Sequence, residues 1–178
     1  FEKGKLVQAT AAKNQAYLLD VLAKLPPQYT LDLIGDPLSP SYTRQLERRV
    51  ARDFAGRARL LGIVPHAEVP DRLCQAQLFV SASLIEAQGL AMLEALASGT
   101  PVVGLTNAGM EEFVDERVGA RLPADTTPAD FARAVRAVCE RPPGEYALLC
   151  RDARRRVAHL DWSSIAARTV ETYASLIA

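Results

Sequence analysis

Residues Leu78 to Val103 read LFVSASLIEAQGLAMLEALASGTPVV. The opening Leu78-Phe79-Val80-Ser81-Ala82 is apolar on both faces, which suits a central strand of a parallel sheet covered on both sides. Ser83 to Gln88 reads as a loop. Gly89 to Ser98 reads as a helix that Gly99-Thr100 closes, and Pro101-Val102-Val103-Gly104-Leu105 reads as the next strand. Strand, loop, helix and strand in that order make a βαβ unit, the building block of a parallel sheet.

The same alternation extends in both directions. Upstream, Lys5 to Thr10 reads as a strand and Lys13 to Leu25 as a helix stopped by Pro26-Pro27. Thr30 to Gly35 is a second strand. Ser41 to Phe54 is an amphipathic helix, with Tyr42, Leu46, Val50 and Phe54 in four-residue steps. Ala58 to Gly62 is a third strand, and Pro65 and Pro70 bracket a brief helical turn. Downstream, a short helix is expected around Glu111 to Asp115 and a sixth strand near Ala120 to Leu122. Thr127-Pro128 has the form of an N-cap followed by proline in the first helical position. Helices Gly144 to Leu160 and Asp161 to Ile177 finish the chain. The fold class expected is therefore α/β: one domain with a doubly wound parallel sheet of six strands and helices on both faces. Ligands of such sheets bind beyond the carboxyl ends of the strands, where the strand order reverses. With the order 3-2-1-4-5-6, Gln8–Lys13 and Ser81–Gly89 should face one crevice.

Composition narrows the function. The chain has 178 residues, 49% hydrophobic and 24% charged, so it can bury a core without staples. Its 21 basic and 21 acidic residues cancel, which gives no general electrostatic case for nucleic acid. Cys74, Cys139 and Cys150 form no C-x-x-C pair, and His66 and His159 are too few for most histidine metal sites. No apolar run approaches the roughly 20 residues that cross a bilayer. A reduced, cytoplasmic compartment is the expectation. With no Met at its start, the chain is expected to be a fragment of a longer protein. G-x-G-x-x-G, G-x-x-x-x-G-K-[ST] and G-x-S-x-G are all missing, and so is a D-x-D pair for a diphosphate-bound metal.

Between Gly89 and Gly99 the only polar side chains are Glu94 and Ser98. So apolar a helix is expected in the core, where an ionised carboxylate is costly without donors. Glu94 should then face the crevice or be hydrogen-bonded. Gly89 frees the backbone at a helix start, whose unpaired N–H groups and positive dipole end attract anions. A diphosphate at that end, with Glu94 deeper in the cleft accepting from a ribose diol, makes a coherent picture.

These residues carry a resemblance. The stretch resembles the E-x7-E signature of the group 1 retaining glycosyltransferases, in the nucleotide-binding, Rossmann-like half of a GT-B fold. Against the family's S-x-x-E-G-F-G-L-x-x-L-E-A-M-A-x-G-x-P-V-V, the matches are Ser83, Glu86, Gly89, Leu90, Leu93, Glu94, Ala95, Ala97, Gly99, Pro101, Val102 and Val103. Leu33 to Asp36, Gly62-Ile63-Val64 with Val69-Pro70, Gly109 to Glu112 (where the family has G-x-P-E) and Trp162 extend it over nearly the whole chain. The resemblance implies transfer of a hexose from a nucleoside diphosphate sugar, with retention and without a metal or other cofactor. It implies that Glu94 binds the ribose and Glu86 sits by the hexose. Backbone N–H groups of Gln88, Gly89 and Leu90 hold sugar and diphosphate, Ser83 belongs to the motif, and Lys13 neutralises the diphosphate. The implied partners are the nucleotide sugar and an amino-terminal acceptor domain absent from this chain, with a peripheral membrane contact through the longer protein.

Two departures from the family matter. Gln8 stands five residues before Lys13, where the family has Arg. Lys5 cannot replace it, because an odd offset along a strand points to the other face. Gln88 replaces the usual Phe and resembles the E-x-Q-G-L wording of some diacylglycerol glucosyltransferases, a hint of a lipid acceptor. Gln8 keeps open a rival reading, a non-catalytic nucleotide-sensing or interaction module; a sugar-nucleotide epimerase of the same fold is a further one. Arg151, Arg154, Arg155 and Arg156 read as a solvated helix face that could also meet anionic headgroups. His66 and His159 read as structural.

Overall fold

The computed structural model describes residues 1–9, 14–35, 39–86 and 88–177, with only the backbone of Gln8 and Ala9. Six parallel strands form one sheet in the order β3-β2-β1-β4-β5-β6. They are β1 (Glu2–Ala9), β2 (Thr30–Ile34), β3 (Ala58–Gly62), β4 (Ala76–Ser81), β5 (Val102–Leu105) and β6 (Gly119–Leu122). The helices are α1 (Gln15–Lys24), α2 (Pro40–Asp53), α3 (Val69–Gln75), α4 (Leu90–Ala97), α5 (Ala108–Phe113), α6 (Pro128–Cys139), α7 (Pro143–Val157) and α8 (Trp162–Ile177). The expected fold class, strand count and order are all present.

The strands work by their two-residue period. Leu6, Leu78, Val80, Val103 and Leu105 join one core with α1, α2 and α6. Val7, Phe79 and Val102 join the other, with α3, α4 and α5. Helix α7 serves both, placing Tyr146 and Leu149 in the first core and Ala153 and Val157 in the second. Lys5 lies on the Val7 face, as its odd offset from Gln8 requires. It is buried, with its ammonium 3.0 Å from Glu2 and 3.9 Å from Asp32. Asp32 is also held bidentately by Arg59, its register partner on β3, at 2.7 and 2.8 Å. Lys5 is therefore committed away from the crevice.

A polar hub closes the amino-terminal edge. Gln77 is 3% exposed. Its Oε1 accepts from the Gly4 N–H at 2.5 Å and its Nε2 donates to the Cys139 carbonyl at 2.9 Å. The Tyr146 hydroxyl donates to the Gln77 carbonyl at 2.6 Å. One side chain thus ties β1, β4 and α6, while α7 is tied to the same residue's backbone.

Some elements differ from expectation. Pro70 sits in the first turn of α3 and so starts a helix rather than ending a turn. Helix α5 begins earlier than expected because the Asn107 side chain caps it. Helix α4 buries only Met92, Ala95 and Leu96, and Leu90 and Ala97 are exposed, so its apolar sequence does not mean full burial. The arginine run is partly structural. Arg156 pairs with Asp115, and Arg154 donates to the Ser98 carbonyl at 3.2 Å, which fastens α7 to the turns after α5 and α4. The terminal α8 buries none of its residues and leaves Trp162, Tyr173, Leu176 and Ile177 exposed. Among the described residues no helix is long and apolar enough to cross a membrane.

The hub gives a stability test. Gln77→Leu keeps the volume but orphans the Gly4 N–H and the Cys139 carbonyl, at about 1–3 kcal/mol for each buried group. Urea denaturation should show a loss of roughly 2–4 kcal/mol, whereas a change below about 1 kcal/mol would show that water satisfies these groups.

Candidate functional site

Strands β1 and β4 are parallel neighbours, with Val7 opposite Phe79. The chain therefore leaves both strands toward the same edge, and the sheet order reverses between them. After Ser81 the chain passes through the β4–α4 loop to Gly89, which has φ 69° and ψ 52° and stands as the N-cap of α4. Among the described residues no side chain caps this helix start, and its first turn carries no acidic residue. The left-handed geometry favours glycine at this position. The result is a helix amino terminus that presents backbone N–H groups and a positive dipole end to the crevice.

A narrow cleft of about 10 Å³, room for about one water, lies beside it. Ser81, Glu86, Gly89 and Asn107 form its polar side, and Phe79 and Met110 part of its apolar side. Glu86 is half-buried, and its Cγ lies 3.4 Å from where a Gly89 Cβ would be. Gln88 and Leu90 are exposed on the rim. Ser83 is buried, and its hydroxyl donates to the Ile85 carbonyl at 3.0 Å, so it braces the loop from within. Glu94 follows Leu90 by one turn on the open side of α4 and is half-exposed.

Glu94 is open enough to be solvated, so the expected cost of a carboxylate on an apolar helix does not arise, yet it has a partner. Its Oε1 lies 3.1 Å from Nε2 of His66, an exposed side chain on the short 3₁₀ turn after β3. The sequence reading left His66 outside the site. Nothing in the sequence singles it out, since the pair is 28 residues apart and Lys or Arg could donate equally well.

The structure thus brings Ser83, Glu86, Gln88, Gly89, Leu90 and Glu94 together along one loop and helix. Gln8 enters by its backbone alone, next to the switch point on β1 and opposite Leu33 of β2. Lys13 lies outside the described residues.

A roomier groove of about 690 Å³ opens at the opposite, amino-terminal edge, by Gln77, Cys139, Tyr146 and Cys150. Burial pushes the Cys139 thiol up to about 12, with Glu140 adding to the shift, so this thiol is neutral and poorly reactive. The crevice has strand carboxyl ends and a switch point, which the groove lacks; the uncapped start of α7 does line the groove, but Pro143 there has no N–H and Glu145 puts a negative charge in that first turn.

A doubly wound sheet with such a helix start at its switch point defines a Rossmann-like α/β domain of the kind that holds anionic ligands. Comparison with known proteins turns this class into a family. The profile of the glycosyl transferases group 1 matches residues 4–141, and the chain belongs to that family. A D-inositol 3-phosphate glycosyltransferase of Geodermatophilus obscurus is 37% identical over 132 residues, covering 72% of this chain and 27% of the relative. The glycogen synthase of Mycobacterium tuberculosis is 30% identical over 162 residues, covering 86% of this chain and 38% of the relative. Among solved structures, Anabaena Alr3699/HepE in complex with UDP and glucose superposes with a TM-score of 0.86 at 25% identity. That match covers 98% of this chain and 49% of the other. The chain therefore corresponds to one Rossmann-like half of GT-B glycosyltransferases. It spans only about a quarter to two fifths of these two curated relatives, by the 27% and 38% covered.

Gly89→Ala tests the helix start. A left-handed residue with a Cβ costs about 1–2 kcal/mol. Denaturant unfolding should show that loss, and an unchanged midpoint would mean that Gly89 is not left-handed in solution.

Proposed function

We propose that this chain is the donor-binding, carboxyl-terminal domain of a retaining glycosyltransferase that takes a hexose from a nucleoside diphosphate sugar. One observation carries the reading. The uncapped start of α4 opens on the switch-point cleft, with Glu86 at its mouth and Glu94 on the open side of the same helix. The diphosphate lies at the helix start, where N–H groups and the dipole end offset its charge. Glu94 accepts from the ribose hydroxyls, and His66 gives up its contact or shares it. Glu86 and the backbone of Gln88 to Leu90 face the hexose, and Lys13 adds a cation to the diphosphate. Glu86 and Glu94 form the E-x7-E pair in this reading.

In the reaction so proposed, the acceptor's hydroxyl oxygen bonds to the anomeric carbon, on the face the diphosphate leaves, as the bond between that carbon and the diphosphate oxygen breaks. Charge develops on the leaving diphosphate, which the helix start and Lys13 stabilise. The donor's own phosphate takes the acceptor's proton, so no protein nucleophile is assigned. The acceptor, a glycan or a lipid, belongs to an amino-terminal domain outside this chain. The Anabaena structures with UDP and UDP-glucose support this assignment by likeness.

Calorimetric titration with UDP, GDP and ADP and with their sugars tests the reading, and binding to none of them would overturn it. Hydrogen bonds to a charged group contribute about 1.5–3 kcal/mol each, and about 1.4 kcal/mol is a decade. Glu94→Gln should therefore weaken a nucleoside diphosphate by roughly one to two decades and leave inorganic pyrophosphate nearly unchanged. Equal losses for both would show that Glu94 does not read the ribose. At Gln8 the family's second cation is missing. Gln8→Arg should tighten the diphosphate by about 1–2 kcal/mol, less at high salt, and leave the bare nucleoside unaffected. No gain in a folded variant would place Gln8 away from the phosphates.

A further inference from the structure

Asn107 caps α5 by accepting from the Met110 N–H at 3.0 Å. Ser, Thr or Asp would cap as well. Asn adds a donor, and the structure uses it: Nδ2 donates to the Ser83 carbonyl at 2.9 Å and to the Leu105 carbonyl at 3.3 Å. The first of these bonds crosses from α5 to the β4–α4 loop. The loop's other end meets α5 as well, since a Cβ on Gly109 would lie 2.8 Å from the Gln88 carbonyl oxygen. The first turn of α5 therefore holds this loop at Ser83 and at Gln88, and Glu86 projects into the cleft between the two contacts. Glu94 and His66 stand apart from both contacts, where α4 meets the turn after β3.

We propose that Asn107 is a positioning residue for the sugar end of the donor site. Its amide fixes the height of the Glu86 loop over the cleft, while the nucleoside end is set separately by Glu94. This rests on the donor-site reading above. The amide suits the device because it carries acceptor and donor on two separate atoms beyond Cγ, so Oδ1 caps the helix while Nδ2 reaches the Ser83 carbonyl; a hydroxyl has both functions on one atom, a bond closer to the backbone.

Asn107→Ser and Asn107→Asp separate the two duties. Both residues cap a helix, so the thermal midpoint should stay near that of the parent. Ionised Asp has no donor, and the Ser hydroxyl, one bond shorter than the amide and engaged at the cap, falls short of the Ser83 carbonyl. The probes are whichever nucleoside diphosphate and hexose conjugate the parent chain binds best among the UDP, GDP and ADP pairs. The Ser variant should bind the conjugate about tenfold more weakly and the bare diphosphate within about threefold of the parent. The Asp variant adds a charge near the phosphates and should lose affinity for both, which makes the neutral Ser variant the decisive one. Equal losses for the two ligands in the Ser variant, or none, would overturn the assignment. If the parent binds neither ligand, the donor-site reading falls and the assignment falls with it. If the parent binds both and the Ser variant matches it, only the assignment falls.

Discussion

The parallel pairing of β1 with β4 is the constraint from which the site follows. Val7 lies opposite Phe79, and on either side of this pair the sheet winds outward in opposite directions. Leu6, Val7, Leu78, Phe79 and Val80 are each at most 2% exposed, so the pairing sits at the centre of both cores. Fully burying one such side chain contributes about 1.5–3 kcal/mol. A register slip by one residue would send each of them to the wrong face. Because that register is fixed, the chain after β1 and the loop after β4 must leave at one edge, and the crevice between them needs no further design.

The two edges of the sheet do different work. At the amino-terminal edge Gln77 satisfies the backbone of Gly4 and Cys139, and Tyr146 bonds to its carbonyl. Those groups are buried and paired, which makes the edge a clamp. At the carboxyl edge no described side chain caps the α4 start, and Glu94 is paired with an exposed imidazole. Polar groups at the amino-terminal edge are enclosed by the fold, while Glu94 and His66 at the other are paired with each other but open to solvent.

Much of this was legible in the sequence because it is local. The two-sided apolar run at Leu78–Ala82 gave a central strand, Thr127-Pro128 gave a helix start, and the β-α alternation gave the sheet and its order. The stretch from Glu86 to Glu94 pointed to the crevice for the same reason. What escaped depends on pairs distant in sequence. His66 meets Glu94 across 28 residues, Asn107 meets Ser83 across 24, and Gln77 meets Cys139 across 62. No periodicity encodes such contacts, and each residue taken alone looks like an ordinary polar side chain. The arginines of α7 were read only in part: Arg151, Arg154 and Arg155 are exposed, as a solvated face requires, but the pairing of Arg156 with Asp115 and the bond from Arg154 to the Ser98 carbonyl join residues distant in sequence.

The central claim is that the diphosphate sits on the amino terminus of α4. Backbone amide chemical shifts of the labelled chain, followed during titration with UDP, test it most directly. The account predicts the largest shifts at Gln88 to Ala91, with smaller ones at Glu94 and His66, and shifts confined to Gln88 to Ala91 when inorganic pyrophosphate replaces UDP. Shifts centred instead on the amino-terminal edge, around Gln77, Cys139 and Arg151, would contradict it.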